Sequence, residues 1–136
     1  MDIKILIIAV IHKNNMILLR KKPTGAGPYK ESWYLLGTTV DNNVIDPPKV
    51  IEKAVEKQTG ITIKFEKQLS WDTEIKKDLD GKDKFFIYLD CSCRYLSGNL
   101  SLGEGIEKLE WVEMTKLKEY DLVPPSVKLF KKLGYL

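Results

Sequence analysis

The chain has 136 residues, of which 43% are hydrophobic and 30% are charged. That length fits one domain, and the composition is typical of a folded globular protein, which excludes a disordered segment. Lysine and arginine number 22 against 19 aspartate and glutamate, a formal charge of +3. Such a small excess gives no strong signal for nucleic-acid binding. We therefore predict a single domain over residues 1–136.

The chain opens with a hydrophobic segment that predicts a β-hairpin. Residues 3–11 are rich in β-branched side chains, residues 12–15 form a polar turn, and residues 16–20 are again apolar. The first run is far shorter than a membrane span and lacks a signal-peptide cleavage site. We therefore expect no membrane association and a cytoplasmic location. His12 in the predicted turn has no neighbouring His or Cys and is a poor candidate for a metal ligand.

A loop and a helix follow the hairpin. Residues 23–32 contain two glycines and two prolines and predict a surface loop, and residues 33–36 predict a strand that breaks at residues 37–39. The best-marked helix covers residues 47–58, where apolar residues recur at helical spacing. Asp46 is its predicted N-cap, and Gly60 lies just past its end.

The second half of the chain predicts more strands and two shorter helices. Strands are expected at residues 61–65, 71–75, 85–93 and 109–114, with a tight turn at Asp80-Gly81 and helices at 115–120 and from 124 onward. Cys91 and Cys93 are two positions apart on one strand, where a disulfide is rare, so we expect free thiols. This order predicts an α/β fold, a mixed sheet with helices on both faces.

One long segment resembles a known family signature. Residues 33–41, WYLLGTTVD, lead into residues 53–61, KAVEKQTGI, and together they resemble the Nudix box, whose pattern is G-x5-E-x7-R-E-U-x-E-E-x-G-U. Residues 109–112 and 121–126 are similar to the late strand and the closing helix of that family. The resemblance covers almost the whole chain in order, with the box at about residues 37–61.

The resemblance implies a Nudix-type α/β/α sandwich, with a mixed β-sheet between helices. It also implies an activity, because in this family glutamates of the box helix bind Mg²⁺ or Mn²⁺. Those metals activate a water that cleaves a nucleoside diphosphate linked to another group. Such chemistry needs several hard oxygen ligands that converge on one face of the helix.

The sequence departs from the family at these glutamates. Aligned on Gly60-Ile61, the motif R-E-U-x-E-E falls on Lys53, Ala54, Val55, Glu56, Lys57 and Gln58. All three helix glutamates are therefore missing. The isolated upstream glutamate falls on Ile45, or on Val44 or Asn43 in the alternative registers, and no register restores it. The box is degenerate, and the cofactor is Mg²⁺ or Mn²⁺ if the protein is active, or none.

Helical geometry places other groups where the metal ligands would be. At about 100° per residue, Ala54, Lys57 and Gln58 share one face, whereas Glu52 and Glu56 point the opposite way and should face solvent. An ammonium group at Lys57 repels a divalent cation and would instead pair with a ligand phosphate. Lys57 and Gln58 are therefore candidate ligand-binding residues.

A few further residues are candidates by resemblance. Glu104, in a glycine-rich loop like the one from which many Nudix enzymes supply a carboxylate, is the candidate catalytic base and metal ligand, with Glu107 as second choice. Asp41 is a further candidate metal ligand. Arg20 and Lys22, alternate residues of one strand, are candidate contacts for a nucleotide-like ligand.

Three functions remain open from the sequence. The first is a Nudix-family protein that binds a nucleotide or nucleoside-diphosphate-like small molecule with weak or no hydrolysis. The second is a divergent hydrolase that cleaves such a molecule with Mg²⁺ or Mn²⁺. The third is a non-catalytic structural or dimerisation module, in which the chain would form a homodimer.

Overall fold

A computed structural model describes residues 1–41, 43 and 46–136. Within these ranges, seven strands, two α-helices and one 3₁₀ helix follow each other. They are β1 Asp2–Lys13, β2 Met16–Lys21, β3 Trp33–Tyr34, β4 Leu36–Val40, α1 Pro47–Thr59, β5 Thr62–Lys77, β6 Asp83–Ser97, β7 Lys108–Glu113, the 3₁₀ helix Met114–Glu119 and α2 Pro124–Lys132. No helix within these ranges is long and apolar enough to cross a membrane.

Strand β1 is the centre of a mixed sheet. It pairs in parallel with β6 from Asp2 to His12 and antiparallel with β4 from Ile5 to Ala9. Its last residues form the predicted hairpin with β2. Beyond these, β5 pairs antiparallel with β6, while β3 and β7 pair with β2. The predicted mixed sheet is thus confirmed.

The side chains of β1 are buried on both faces of the sheet. Ile7, Ala9 and Ile11 belong to the hydrophobic cluster that contains the buried residues of α1. Val10 belongs to a second cluster, which contains Phe130 of α2. Because alternate residues of a strand point to opposite faces, the two helices cover opposite sides of the sheet. This is the predicted α/β/α arrangement.

Helix α1 begins and ends close to the predicted residues. The side chain of Asp46 accepts a hydrogen bond from the Lys49 amide at 3.3 Å, which satisfies one of the free N–H groups of the first turn. Gly60 ends the helix with φ of 78°, a left-handed conformation that other residues adopt only at a cost. Its amide donates to the Glu56 carbonyl at 2.9 Å. The sequence therefore fixes both ends of this helix.

The predicted break at residues 37–39 is wrong, because these residues belong to β4. Gly37 pairs with Ile8 of β1. A Cβ atom at Gly37 would lie 2.7 Å from the Ile7 carbonyl oxygen, which is too close for any side chain. The glycine therefore lets two strands approach closely and does not end the strand.

The strands predicted at residues 61–65 and 71–75 form one strand, β5, with irregular register. Phe65 lies opposite Cys93 and Trp71 lies opposite Leu89, so six residue steps on β5 oppose four on β6. Two extra residues are therefore accommodated as bulges. A search of the sequence for strict alternation of polar and apolar residues does not detect the strand at these positions.

The structure also decides three smaller predictions. His12 lies on β1 and not in the turn, with its ring edge-on to Tyr135 at 6.2 Å between centroids. The helix predicted at residues 115–120 is the 3₁₀ helix, and no side chain caps it. Cys91 and Cys93 are free, as predicted, and both are buried.

Candidate functional site

A cavity of about 360 Å³ opens on the α2 side of the sheet. Its floor is made by β1, β4, β5 and β6, one wall by α2, and the opposite wall by β2 and the loop at residues 23–32. The volume lies within the range of about 300–1,000 Å³ that small-molecule sites occupy. The side chains that line it fall into a cationic group and an acidic group.

The cationic group centres on Arg20 and Lys22, which alternate along β2 and its continuation. Lys22 Nζ lies 4.8 Å from the centre of the Tyr34 ring, and the Arg20 guanidinium carbon lies 5.7 Å from it. Arg20 Nε donates to the Leu35 carbonyl at 2.9 Å. Across the described ranges, neither cation has a carboxylate within 4.0 Å.

These two cations are destabilised in their charged form. Burial lowers the pKa of Arg20 to about 10. Burial, followed by repulsion from Arg20, Lys4 and Lys76, lowers the pKa of Lys22 to about 8. The attraction of an anion placed among them would offset the cost of their desolvation and of their mutual repulsion. The group is therefore suited to a phosphate.

A polar network fastens the loop at residues 23–32 to the sheet. The Tyr29 hydroxyl donates to Glu74 of β5 and lies 3.0 Å from the Tyr88 hydroxyl of β6. Lys76 Nζ donates to Glu74 at 2.8 Å and to the Tyr88 hydroxyl at 2.9 Å. Burial opposes ionisation of Glu74, but the hydrogen bonds from Lys76, Tyr29 and Tyr88 outweigh it and hold its pKa below the ordinary value. The loop is thus held over the cavity.

The acidic group lies under α2. Asp90 of β6 is only 5% exposed, and Ser70 Oγ donates to its carboxylate at 3.2 Å. Burial raises the pKa of Asp90 to about 6. The neighbouring acid Asp72 is neutralised by Lys128 of α2 at 2.9 Å. Asp90 therefore faces the cavity with fewer partners than Asp72.

The end of α1 near Gln58 is where the resemblance places the metal. Ala54 and Gln58 are half-buried there, and Lys57 is exposed. Gln58 Nε2 donates to the Gly37 carbonyl at 3.0 Å, while its Oε1 is buried without a partner. One amide oxygen beside an ammonium group does not match the carboxylate set that Mg²⁺ or Mn²⁺ takes. These three residues therefore do not fit the metal.

The glycine-rich loop with Glu104 is fixed to the same end of α1. The Gly103 amide donates to the Gln58 carbonyl at 2.9 Å, and a Cβ at Gly103 would lie 2.6 Å from that oxygen. Glu104 itself is exposed. Asp41 is also exposed and accepts from the Asn43 amide at 2.8 Å. In the described part of the chain, no three His, Cys, Asp or Glu side chains form a metal-binding group.

The spare acids of α1 behave differently from each other. Glu56 is exposed, as expected. Glu52 was expected to face solvent, and this is wrong, because its carboxylate accepts from the Phe65 amide of β5 at 2.8 Å. Helical periodicity gives the direction of a side chain but not the strand that packs there. Val44 and Ile45, candidate positions for the upstream glutamate, lie outside the described residues.

The structure therefore divides the predicted site residues into two groups. Arg20 and Lys22 line the cavity, whereas Asp41, Lys57, Gln58 and Glu104 are not among its lining residues. The sequence analysis missed Tyr29, Glu74, Lys76, Tyr88 and Asp90. The sequence did contain a signal for them. Polar residues recur at alternate positions of β5 and β6, on the face where a half-buried strand normally carries apolar residues.

Comparison with solved structures identifies the fold. A NUDIX hydrolase from Nitrosomonas europaea matches with a TM-score of 0.77 at 13% identity, covering 96% of this chain and 88% of that one. The MutT NUDIX hydrolase from Burkholderia pseudomallei matches with a TM-score of 0.73 at 20% identity, covering 96% and 98%. The chain has the Nudix fold. At these identities the likeness establishes the architecture and not the activity.

A third structure carries a ligand. The NUDIX domain of Shewanella oneidensis NrtR, complexed with ADP ribose, matches with a TM-score of 0.69 at 13% identity, covering 96% of this chain and 85% of that one. No protein-family model and no curated protein sequence matches the chain. The relationship is therefore visible in the structure and not in overall sequence similarity.

Proposed function

We propose that this Nudix-fold chain binds a nucleotide or nucleoside-diphosphate-like ligand in the cavity and hydrolyses it weakly or not at all. The observation that carries the proposal is the pair Arg20 and Lys22, two partly desolvated cations on the cavity wall. A phosphate group supplies the negative charge that this pair lacks, and arginine binds phosphate oxygens through two parallel hydrogen bonds. The ADP ribose complex of the similar NrtR domain supports the same class of ligand.

Weak or absent hydrolysis is supported by the residues at the end of α1. Ala54, Lys57 and Gln58 offer one neutral oxygen, whereas metal-assisted cleavage of a diphosphate needs carboxylates that fix the cation. A cytoplasmic location is a further part of the proposal.

Calorimetric titration with ADP ribose and with ADP, in EDTA and in Mg²⁺, tests the binding. We expect saturable binding that does not need the metal and that weakens at least tenfold in Lys22→Ala. Lys64→Ala, at an exposed lysine on β5 outside the cavity, is the matched control and should bind like the wild type. A wild-type protein that binds neither compound would contradict the proposal.

A divergent hydrolase is the second candidate, favoured by the loop that holds Glu104. The hydrogen bond from the Gly103 amide to the Gln58 carbonyl holds the backbone of this loop at the helix where the family binds metal. Turnover of ADP ribose in Mn²⁺ or Mg²⁺ that disappears in Glu104→Gln and persists in Glu107→Gln would establish this candidate and overturn the first. Equal residual turnover in all three proteins would exclude a role for Glu104.

A dimerisation module is the third candidate, supported by exposed apolar side chains on the edge strand β5. Trp71 is 69% exposed and Ile75 is 63% exposed, and an edge strand with such residues is a common place for two chains to pair. Sedimentation of the wild type and of Trp71→Lys distinguishes the cases. A homodimer that Trp71→Lys dissociates, together with no nucleotide binding, would support this candidate alone.

A further inference from the structure

Lys22 differs from the other lysines that line the cavity. Lys4 and Lys76 each form an ion pair with a carboxylate, at 3.1 and 2.8 Å, and Lys132 donates to a backbone carbonyl at 3.4 Å. In the described part of the chain, Lys22 Nζ has no partner of either kind. An ammonium group carries three donors and requires acceptors for them. The protein therefore gives little support to the charged form of Lys22.

The neighbours of Lys22 favour an uncharged amine. Its Nζ lies 4.8 Å from the centre of the Tyr34 ring, which attracts a cation only weakly. Burial opposes the charge, and so does repulsion from Arg20, Lys4 and Lys76, so that the pKa of Lys22 falls to about 8. Near pH 8 about half of these side chains are therefore amines. A lysine with the ordinary pKa of about 10.4 is less than about 1% amine at that pH.

Arg20 supplies a fixed positive charge beside this amine. Burial lowers the pKa of Arg20 only to about 10, so it remains a cation where Lys22 does not. The two residues are alternate positions of one strand, about 7 Å apart along the backbone, and both side chains approach the ring of Tyr34. Arg20 binds the Leu35 carbonyl through Nε, and its two terminal nitrogens match the oxygens of a carboxylate. A carboxylate held there would place the atoms next to it close to Lys22.

We propose that Lys22 is a nucleophilic amine that forms an imine with a 2-oxo acid, whose carboxylate pairs with Arg20. A desolvated lysine next to another cation is a typical nucleophile towards carbonyl compounds. In a 2-oxo acid the carbonyl carbon is bonded directly to the carboxylate, so the two reacting groups of the ligand are as close together as the two side chains require.

The reaction needs no oxidant and no cofactor. The lone pair of Nζ attacks the carbonyl carbon and forms a carbinolamine. The carbonyl oxygen then leaves as water, together with the two hydrogens of the amine, and a C=N bond remains. This step uses the amine form of Lys22, whereas the proposed binding of a phosphate uses the ammonium form. The inference therefore goes beyond the proposed function, and either can fail without the other.

Reductive trapping tests the imine. The protein is incubated at pH 8 with pyruvate and sodium cyanoborohydride, which reduces the C=N bond to a stable secondary amine, and the labelled lysines are mapped by mass spectrometry of peptides. Lys64, an exposed lysine of β5 outside the cavity, is the internal reference. We expect Lys22 to be labelled about tenfold or more faster than Lys64, because a much larger fraction of it is amine.

Acetone in place of pyruvate tests the role of the carboxylate. Since Lys64 reports the intrinsic reactivity of each reagent, the ratio of Lys22 to Lys64 labelling can be compared between them. We expect this ratio to be about threefold or more lower with acetone, which has no carboxylate for Arg20 to bind. Arg20→Ala should lower the ratio more for pyruvate than for acetone. Lys22→Arg keeps a cation without a nucleophile and should remove the fast label, while Lys64 is labelled as before.

The wild type decides the outcome even if a variant does not fold. Equal labelling of Lys22 and Lys64 by pyruvate would overturn the proposal, because a solvated lysine without special surroundings behaves in this way. Fast labelling of Lys22 with the same ratio for pyruvate and acetone would show a reactive amine without a carboxylate site, which overturns the assignment of a 2-oxo acid. Fast labelling with a clear preference for pyruvate would support both parts.

Discussion

The two sides of the sheet differ in how their function can be inferred. On the α1 side, a sequence motif specifies loop, helix and turn, yet the residues at the end of the helix do not fit the metal. On the α2 side, outside the box, cations, aromatic rings and a buried acid surround a cavity. A chain can therefore keep the loop, helix and turn of a signature without residues that fit its metal. In this chain the signature segment and the cavity lie on opposite sides of β1.

Removal of Arg20 should have the largest effect on the α2 side. Arg20→Ala eliminates a guanidinium that faces the phosphates in the proposed complex, so we expect the affinity for ADP ribose to fall thirtyfold or more, about 2 kcal/mol. The other arginine of the chain, Arg94, is exposed and pairs with Glu66 on the surface. Arg94→Ala is the control and should bind like the wild type in the same calorimetric titration. Equal losses in both variants would remove Arg20 from the site.

Replacement of Asp90 should have the next largest effect, on stability. The folded protein keeps this carboxyl protonated up to about pH 6, while an unfolded chain releases the proton near pH 4. Ionisation therefore destabilises the fold above about pH 6 and has no such effect below about pH 4. Asp90→Asn should raise the free energy of unfolding at pH 8 by on the order of 2 kcal/mol.

Urea denaturation at two pH values checks this expectation. At pH 4 the gain of Asp90→Asn should be largely absent, because there the pKa difference between the folded and the unfolded protein contributes little. Asp83→Asn, the same change at an exposed acid at the β5–β6 turn, should show no gain at either pH. A loss of stability in Asp90→Asn of equal size at pH 4 and pH 8 would show that the carboxylate is satisfied by the protein itself.

Replacement of Lys57 should have the smallest effect. Its side chain is exposed on the α1 side and does not line the cavity, and an exposed charge contributes less than about 1 kcal/mol. We expect Lys57→Ala to change the affinity for ADP ribose no more than about threefold, as measured by the same titration. A larger loss would place the ligand phosphates at the end of α1 and remove the contrast between the two sides.

Much of the fold could be predicted from local sequence signals. Asp46, Pro47 and Gly60 mark the ends of α1 through capping and backbone conformation, which depend on neighbouring residues only. Gly37 was misread as the end of a strand, because its role depends on the carbonyl of Ile7 in a distant segment. Local rules cannot supply such a contact.

The candidate site was predicted less completely. Arg20 and Lys22 were found because the family resemblance points to that strand. Tyr29 and Glu74 were missed because they meet only where the loop packs on the β5–β6 pair. Asp90 was missed because its side chain lines the cavity only when α2 covers the sheet. The Tyr29–Glu74 contact spans 45 positions, and no periodicity within one element can indicate it.

The two bulges of β5 make that strand tolerant of small changes in length. Between Phe65 and Trp71 the strand contains two residues more than its partner, one in each bulge. Loss of one residue that straightens a bulge would keep Trp71 opposite Leu89 and Lys76 facing the cavity. Relatives that keep this cavity can therefore lack one or both of the extra residues, whereas a third deletion would shift the register and turn Lys76 away.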